Sequence, residues 1–199
     1  NGIMGHKFAE LAFTPNVKAE QAAQGSRRAY ERFDEGSDHH HVLGSQEATF
    51  IGLRDSFYMA TVSETGWPYL QHRGGPIGFL KVLDDRTLGF ADFRGNRQYV
   101  SVGNDRVSVF LMDYANRSRL KILGRARIVT TNESETLKRL ALPAYRAEVE
   151  RGMFIDVEAF DWNCPQHITP RFTLAEVEAA TEPLRTRIRE LEIALNSRR

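Results

Sequence analysis

The chain has 199 residues, with 27 Lys and Arg against 26 Asp and Glu, a formal net charge of +1. Near-neutrality excludes a general electrostatic attraction to nucleic acid or anionic membrane, so clustered basic residues are read as local sites. A single cysteine excludes an intrachain disulfide framework, no apolar run approaches the roughly 20 residues needed to span a bilayer, and no signal-peptide pattern opens the chain. The expectation is a soluble, cytoplasmic protein with one substantial core and terminal helices, in which Asn1 to Ile3 either precede a start at Met4 or are the trimmed end of a longer chain.

In chain order, Asn16 is the expected cap of a first helix running to about Phe33, ended by Gly36 and Ser37. Asp38-His39-His40-His41 follows. Neighbouring side chains of an extended segment point to opposite faces and no partner stands at a ligand spacing, so the run reads as an exposed loop and no metal is assigned. Ser45 and Glu47 open a second helix to about Asp55, carrying Phe50, Ile51 and Leu53.

From residue 57 onward the period changes to two. Phe57 to Ser63 and Tyr69 to Arg73 read as a hairpin around Glu64-Thr65-Gly66-Trp67-Pro68, with Gly66 free to take positive φ. Gly74-Gly75-Pro76-Ile77-Gly78 interrupts the pattern and is expected to leave backbone amides accessible, either to a planar or phosphorylated ligand or as a simple bulge. Apolar runs then recur at Gly78 to Leu83, Leu88 to Phe93, Val107 to Tyr114 and Leu120 to Val129, split by turns at Asp84-Asp85-Arg86, Arg94-Gly95-Asn96 and Ala115-Asn116-Arg117. A short helix is expected over Gln98 to Val102 and a strand over Met153 to Phe160. Strands this close together imply an antiparallel barrel or sandwich, with Arg73, Lys81, Arg97 and Arg119 at strand ends, where an anion would sit.

Phe160 to Arg171 packs Trp162, Cys164, Gln166 and His167 around two prolines. A helix from about Thr173 to Asn196 follows, with Leu184, Ile188, Leu191 and Leu195 expected to bury one stripe and the rest to be a solvated face, or to meet a partner helix in a dimer. Cys164 and His167 lack any feature that would activate the thiol, which disfavours cysteine hydrolase chemistry. The expected organisation is a helical extension over 1–44, a barrel domain over 45–172 and a C-terminal helix over 173–199.

Phe79-Leu80-Lys81, Phe90-Ala91-Asp92, Asn96-Arg97-Gln98, Asn104-Asp105-Arg106-Val107 and Arg119-Leu120-Lys121-Ile122-Leu123-Gly124 occur in this order. The series resembles the FMN-binding split-barrel family of pyridoxamine 5'-phosphate oxidase, over residues 45 to 130. The block around Cys164 resembles an uncharacterised flavin-nucleotide-binding branch of it. The resemblance implies an antiparallel split β-barrel, mainly β with flanking helices, and a homodimer with FMN at its interface. It also implies a flavoprotein oxidoreductase passing a hydride through flavin N5, in which no residue is assigned as catalytic.

On that resemblance, Arg97 and Lys81 are phosphate partners and Arg73 a third, with Gln98 where the family often has Lys. Gly78, Phe79, Leu80, Ala91, Asp92 and Asn96 are further expected flavin contacts. Arg119 stands where the family typically has Gln, at the pyrimidine edge, and a guanidinium there would raise the reduction potential, unless it points outward from the strand. Trp162, Cys164 and His167 either approach the isoalloxazine or anchor the last helix. Pyridoxamine phosphate oxidation itself is not expected, because the family's basic C-terminal substrate motif is missing. Two alternatives stay open: a flavin store or sensor without turnover, and a split barrel for haem, with His72 or His167 as axial ligand, or for deazaflavin.

Overall fold

The computed structural model describes residues 7–26, 40–91, 104–130, 134–142, 151–162 and 165–197. The helices are α1 (Lys7–Ala12), α2 (Pro15–Ala23), α3 (Ser45–Gly52), α4 (Ser134–Lys138) and α5 (Leu174–Asn196). The strands are β1 (Ser56–Val62), β2 (Pro68–Gly74), β3 (Lys81–Val82), β4 (Thr87–Ala91), β5 (Arg106–Asp113), β6 (Ser118–Thr130) and β7 (Arg151–Trp162). Two compact units emerge: Asn1–Met112 with Arg119–Cys164, and Asp113–Ser118 with Pro165–Arg199.

Among the described residues the strands form one sheet in the order β2-β1-β5-β6-β7-β4-β3. Its pairings are antiparallel. The sheet curls without closing, so the fold is a split β-barrel. Alternation explains its interior: Phe57, Met59, Val107, Val109, Leu111, Leu120 and Ile122 recur at every second position and are buried. Phe57 stacks on Phe79 at 5.5 Å and meets Phe90 edge-on at 5.3 Å, an aromatic centre that ties β1 to β4 through the segment before β3.

Several expectations are corrected. Thr14, not Asn16, caps the first long helix: its hydroxyl accepts from the Val17 N–H, and Pro15 takes the first helical position, where a missing N–H costs nothing. That helix stops at Ala23 rather than Phe33, with Gln24 as its cap. The second ends at Gly52, three residues early. The strand expected over Gly78 to Leu83 is only β3, because Gly78 sits at φ 80 and the Phe79 N–H turns back to the Pro76 carbonyl at 2.9 Å. The histidine run is no free loop at His40, whose ring lies 5.2 Å from Phe160 and whose carbonyl accepts from the Phe160 N–H at 2.7 Å. Finally, α5 buries none of its residues, so among the described residues the stripe of Leu184, Ile188, Leu191 and Leu195 is exposed rather than buried.

Candidate functional site

Turn chemistry shapes the segment that leads into β3. The N–H groups of Gly75 and Gly78 donate to the carbonyls of Asp55 and Arg54 at 2.9 and 3.3 Å, and that of Phe79 to Pro76. These amides are therefore committed inside the protein, which corrects the expectation that they stand open. The glycines have a packing reason as well: a Cβ on Gly75 would lie 2.7 Å from Cγ of Phe79, whose ring folds over it.

Phe79 and Leu80 are core residues, 6% and 0% exposed, so any contact they make with a ligand runs through the main chain. Lys81 then turns out of the core: it is half-buried, and its Nζ donates to the Ala141 carbonyl at 2.7 Å. Lys81 pairs with Gly89 on β4, which brings Ala91, two residues further along, to the same corner of the sheet. The Asp84 carboxyl, in the turn between β3 and β4, is held below its usual range. Burial pushes it up, but the N–H groups of Arg86 and Thr87, the Thr87 hydroxyl and the Arg139 guanidinium outweigh that.

Arg73 lies opposite Phe57 in the β1–β2 ladder and, like Phe57, faces inward. It is 5% exposed, with its guanidinium 5.6 Å from the Phe90 ring centroid. The aromatic face offsets part of the cost of burying the charge. The structure thus brings Arg73, Phe79, Lys81 and Ala91 together around β4, with Arg73 on the interior side.

Arg119 and Trp162 form a second group. Leu120 pairs with Trp162, so Arg119 stands at the same end of the β6–β7 ladder. It shares a strand face with Lys121, opposite the buried Leu120 and Ile122, yet its Nε is enclosed and has no acceptor among the described residues. Lys121, by contrast, is satisfied by Asp161 at 3.1 Å and lies over the Phe8 ring. The Trp162 indole N–H donates to Glu47 Oε1 at 2.7 Å, and its ring meets Phe50 edge-on at 4.8 Å. Glu47 is 8% exposed, and its other oxygen accepts from the Gly44 N–H at 2.9 Å.

Sequence reading missed this second role of Glu47. The capping spacing was visible, but a bond to Trp162, 115 positions away, leaves no local trace. Removal of either partner leaves a buried donor or acceptor unsatisfied, which costs about 1–3 kcal/mol. Glu47→Ala is therefore expected to lower the unfolding midpoint in urea and to red-shift Trp162 emission.

Asp92, Asn96, Arg97, Gln98 and Cys164, with the turn at Arg94-Gly95-Asn96 and the helix at Gln98 to Val102, lie outside the described residues. His167 belongs to the second unit, where it adopts φ 62 in the turn after Pro165. His72, the other haem candidate, lies on β2 and meets the Tyr58 ring at 5.5 Å.

An antiparallel barrel left open between two edge strands, with cations at its strand ends, defines the class of split β-barrels. The family model for pyridoxamine 5'-phosphate oxidase matches residues 44–160, from the cap of α3 to β7. The chain belongs to the pyridoxamine 5'-phosphate oxidase family. A pyridoxamine 5'-phosphate oxidase-type protein from Lactobacillus delbrueckii is 18% identical, over 61% of this chain and 94% of that one, with a TM-score of 0.49. A conserved hypothetical protein from Mycobacterium tuberculosis is 18% identical over 70% and 97% of the two chains, with a TM-score of 0.48. HupZ of Group A Streptococcus is 16% identical over 65% and 100%, with a TM-score of 0.47. No curated protein sequence matches the chain. No helix among the described residues is long and apolar enough to cross a membrane.

Proposed function

We propose that this protein is a cytoplasmic FMN-dependent oxidoreductase that works as a homodimer with the flavin at the subunit interface. The observation that carries the reading is that the family match spans the barrel from α3 to β7, where the described candidate residues outside the second unit reside. Bound flavin would supply two-electron transfer through N5, from a reduced donor to oxygen or another acceptor.

The residues present fit such a group. The enclosed Nε of Arg119 is a charged donor with no acceptor among the described residues, which suits a carbonyl or ring nitrogen at the pyrimidine edge. Lys81, with Arg97, would hold the phosphate, and Ala91 and the Gly78 backbone would border the ring. Arg73, inside the barrel, would add positive potential behind the site. Trp162, fixed by Glu47 and Phe50, stands with Arg119 at the opposite end of β7 from Ala91, so these two would reach the ring from the second copy of the chain. Edge strand β2 supports a dimer: Tyr69 is 52% exposed, with Trp67 just before the strand at 76% and Leu70 on the opposite face at 66%, apolar surface beside an edge that is unpaired among the described residues.

The test is absorbance and mass analysis of cofactor released from purified protein, followed by anaerobic reduction with nicotinamide donors. FMN that is reduced and then reoxidised by oxygen is expected. Oxidised flavin that resists reduction would leave a store or sensor, and a colourless protein that refuses added FMN would sink the proposal. Arg119→Gln is expected to lower the flavin midpoint potential by about 30–60 mV, the equivalent of one charge-assisted hydrogen bond lost from the reduced state. An unchanged potential would place the guanidinium away from the ring.

A further inference from the structure

We infer that α5 is one strand of a parallel two-stranded coiled coil, its partner being α5 of a second copy of this chain. The helix is capped at Thr173 by a reciprocal box with Glu176 and runs 23 residues without burying one of them. It carries an uninterrupted heptad pattern: Leu174, Thr181, Ile188 and Leu195 at one seam position, Val177, Leu184 and Leu191 at the other, in strict alternating steps of three and four. Each of the six apolar seam residues is at least 45% exposed. The outward positions carry Glu176, Glu182, Arg189 and Glu190, with Ile193 as the one large apolar departure.

A polar helix can stand alone in water, but this one has two features that weigh against it. Its apolar residues form a narrow stripe with the 3.5-residue repeat of a coiled-coil seam, rather than the broader face of a helix that packs on a sheet. It also contains Pro183 in its middle turns, which removes a backbone hydrogen bond and strains the preceding turn. Isolated helices are marginal even without such a defect, so the helix needs tertiary or quaternary burial. Pro183 falls on the outward face, where it does not obstruct the seam.

The seam chemistry selects the partner. In the two central heptads, β-branched Thr181 and Ile188 at one position with Leu184 and Leu191 at the other favour two parallel strands. The Thr181 hydroxyl already donates to the Val177 carbonyl at 2.8 Å, leaving its methyl for the seam. In a parallel register Arg187 flanks the seam five residues before Glu192 of the other copy, an attractive pair on each side. Three heptads are near the lower limit for such a coil. The inference is independent of the flavin reading, since it uses no barrel residue.

The test uses full-length protein in which Cys164 is serine and Leu191→Cys provides a seam thiol. Under mild oxidation most of the chain is expected to run as a disulfide-linked dimer, because equivalent seam positions face each other only in a parallel, in-register coil. Adding Leu184→Glu is expected to cut that yield at least tenfold, while the barrel's thermal transition stays unchanged. Glu190→Cys, on the outward face, is expected to remain uncrosslinked. Monomer alone from Leu191→Cys, crosslinking that ignores Leu184→Glu, or crosslinking only between mixed Leu174→Cys and Leu191→Cys chains would each overturn the inference, the last in favour of an antiparallel pair.

Discussion

Lys81→Ala is expected to weaken FMN binding by roughly 10- to 150-fold, so that the protein is purified largely without its cofactor. The magnitude follows from one charge-assisted bond to a phosphate dianion, about 1.5–3 kcal/mol. Fold and binding separate cleanly here. Among the described residues the ammonium makes one exposed bond, to the Ala141 carbonyl, so its loss is expected to move the thermal midpoint little. Lys81→Arg keeps the charge and is expected to recover part of the affinity. Arg97→Ala is expected to act in the same direction. Arg125→Ala, which removes an exposed guanidinium paired with Asp105 and Glu158, is expected to leave affinity unchanged. Flavin fluorescence titration measures all four, and wild-type affinity in Lys81→Ala would remove Lys81 from the phosphate site.

Gly124→Ala is expected to be among the most destabilising single-methyl additions in this protein. Gly124 sits at the register shift in the β6–β7 ladder, and a Cβ there would lie 2.6 Å from the Asp156 carbonyl oxygen and 2.8 Å from Ile155 Cγ2. A flexible side chain could swing aside, but a carbonyl of a paired strand moves only with its strand. The cost is expected at the upper end of the range for overpacking, about 3 kcal/mol, or roughly 6–12 °C in the thermal midpoint. Gly52→Ala makes the contrast, because a Cβ there meets nothing within 4 Å and the residue is helical. It is expected to be neutral or to stabilise by up to about 1 kcal/mol. Calorimetry of the two variants checks the pair, and equal midpoints would mean that the bulge relaxes freely.

Much of the barrel was legible because strand alternation is local. Phe57, Met59, Val107, Val109, Leu111, Leu120 and Ile122 announce their inward face through their neighbours, and Gly66 announces its turn, where it sits at φ 84. The corrections have two causes, one local and one tertiary. Asn16 and Thr14 are both good caps, and Pro15 decided between them. Gly78 to Leu80 is apolar like a strand, but the pull of Phe79 onto Gly75, Phe57 and Phe90 shortened β3 to two residues. The heptad in α5 was written in the chain, yet the exposure of its apolar residues is a property of the folded molecule.

The candidate site divides the same way. Residue type and order, with the family resemblance, were enough to propose Lys81, Arg97 and Arg119 as cations for an anionic cofactor, because charge and strand ends are short-range features. Long-range packing set everything that gives those cations their differences. It turned Arg73 inward over Phe90, tied Lys81 to Ala141, enclosed Nε of Arg119 beside the end of β7, and joined Trp162 to Glu47 across 115 positions. Hydrophobic period is read from a few neighbours, whereas burial and hydrogen-bond partners depend on which distant strands meet, and that is settled only when the sheet curls around its core.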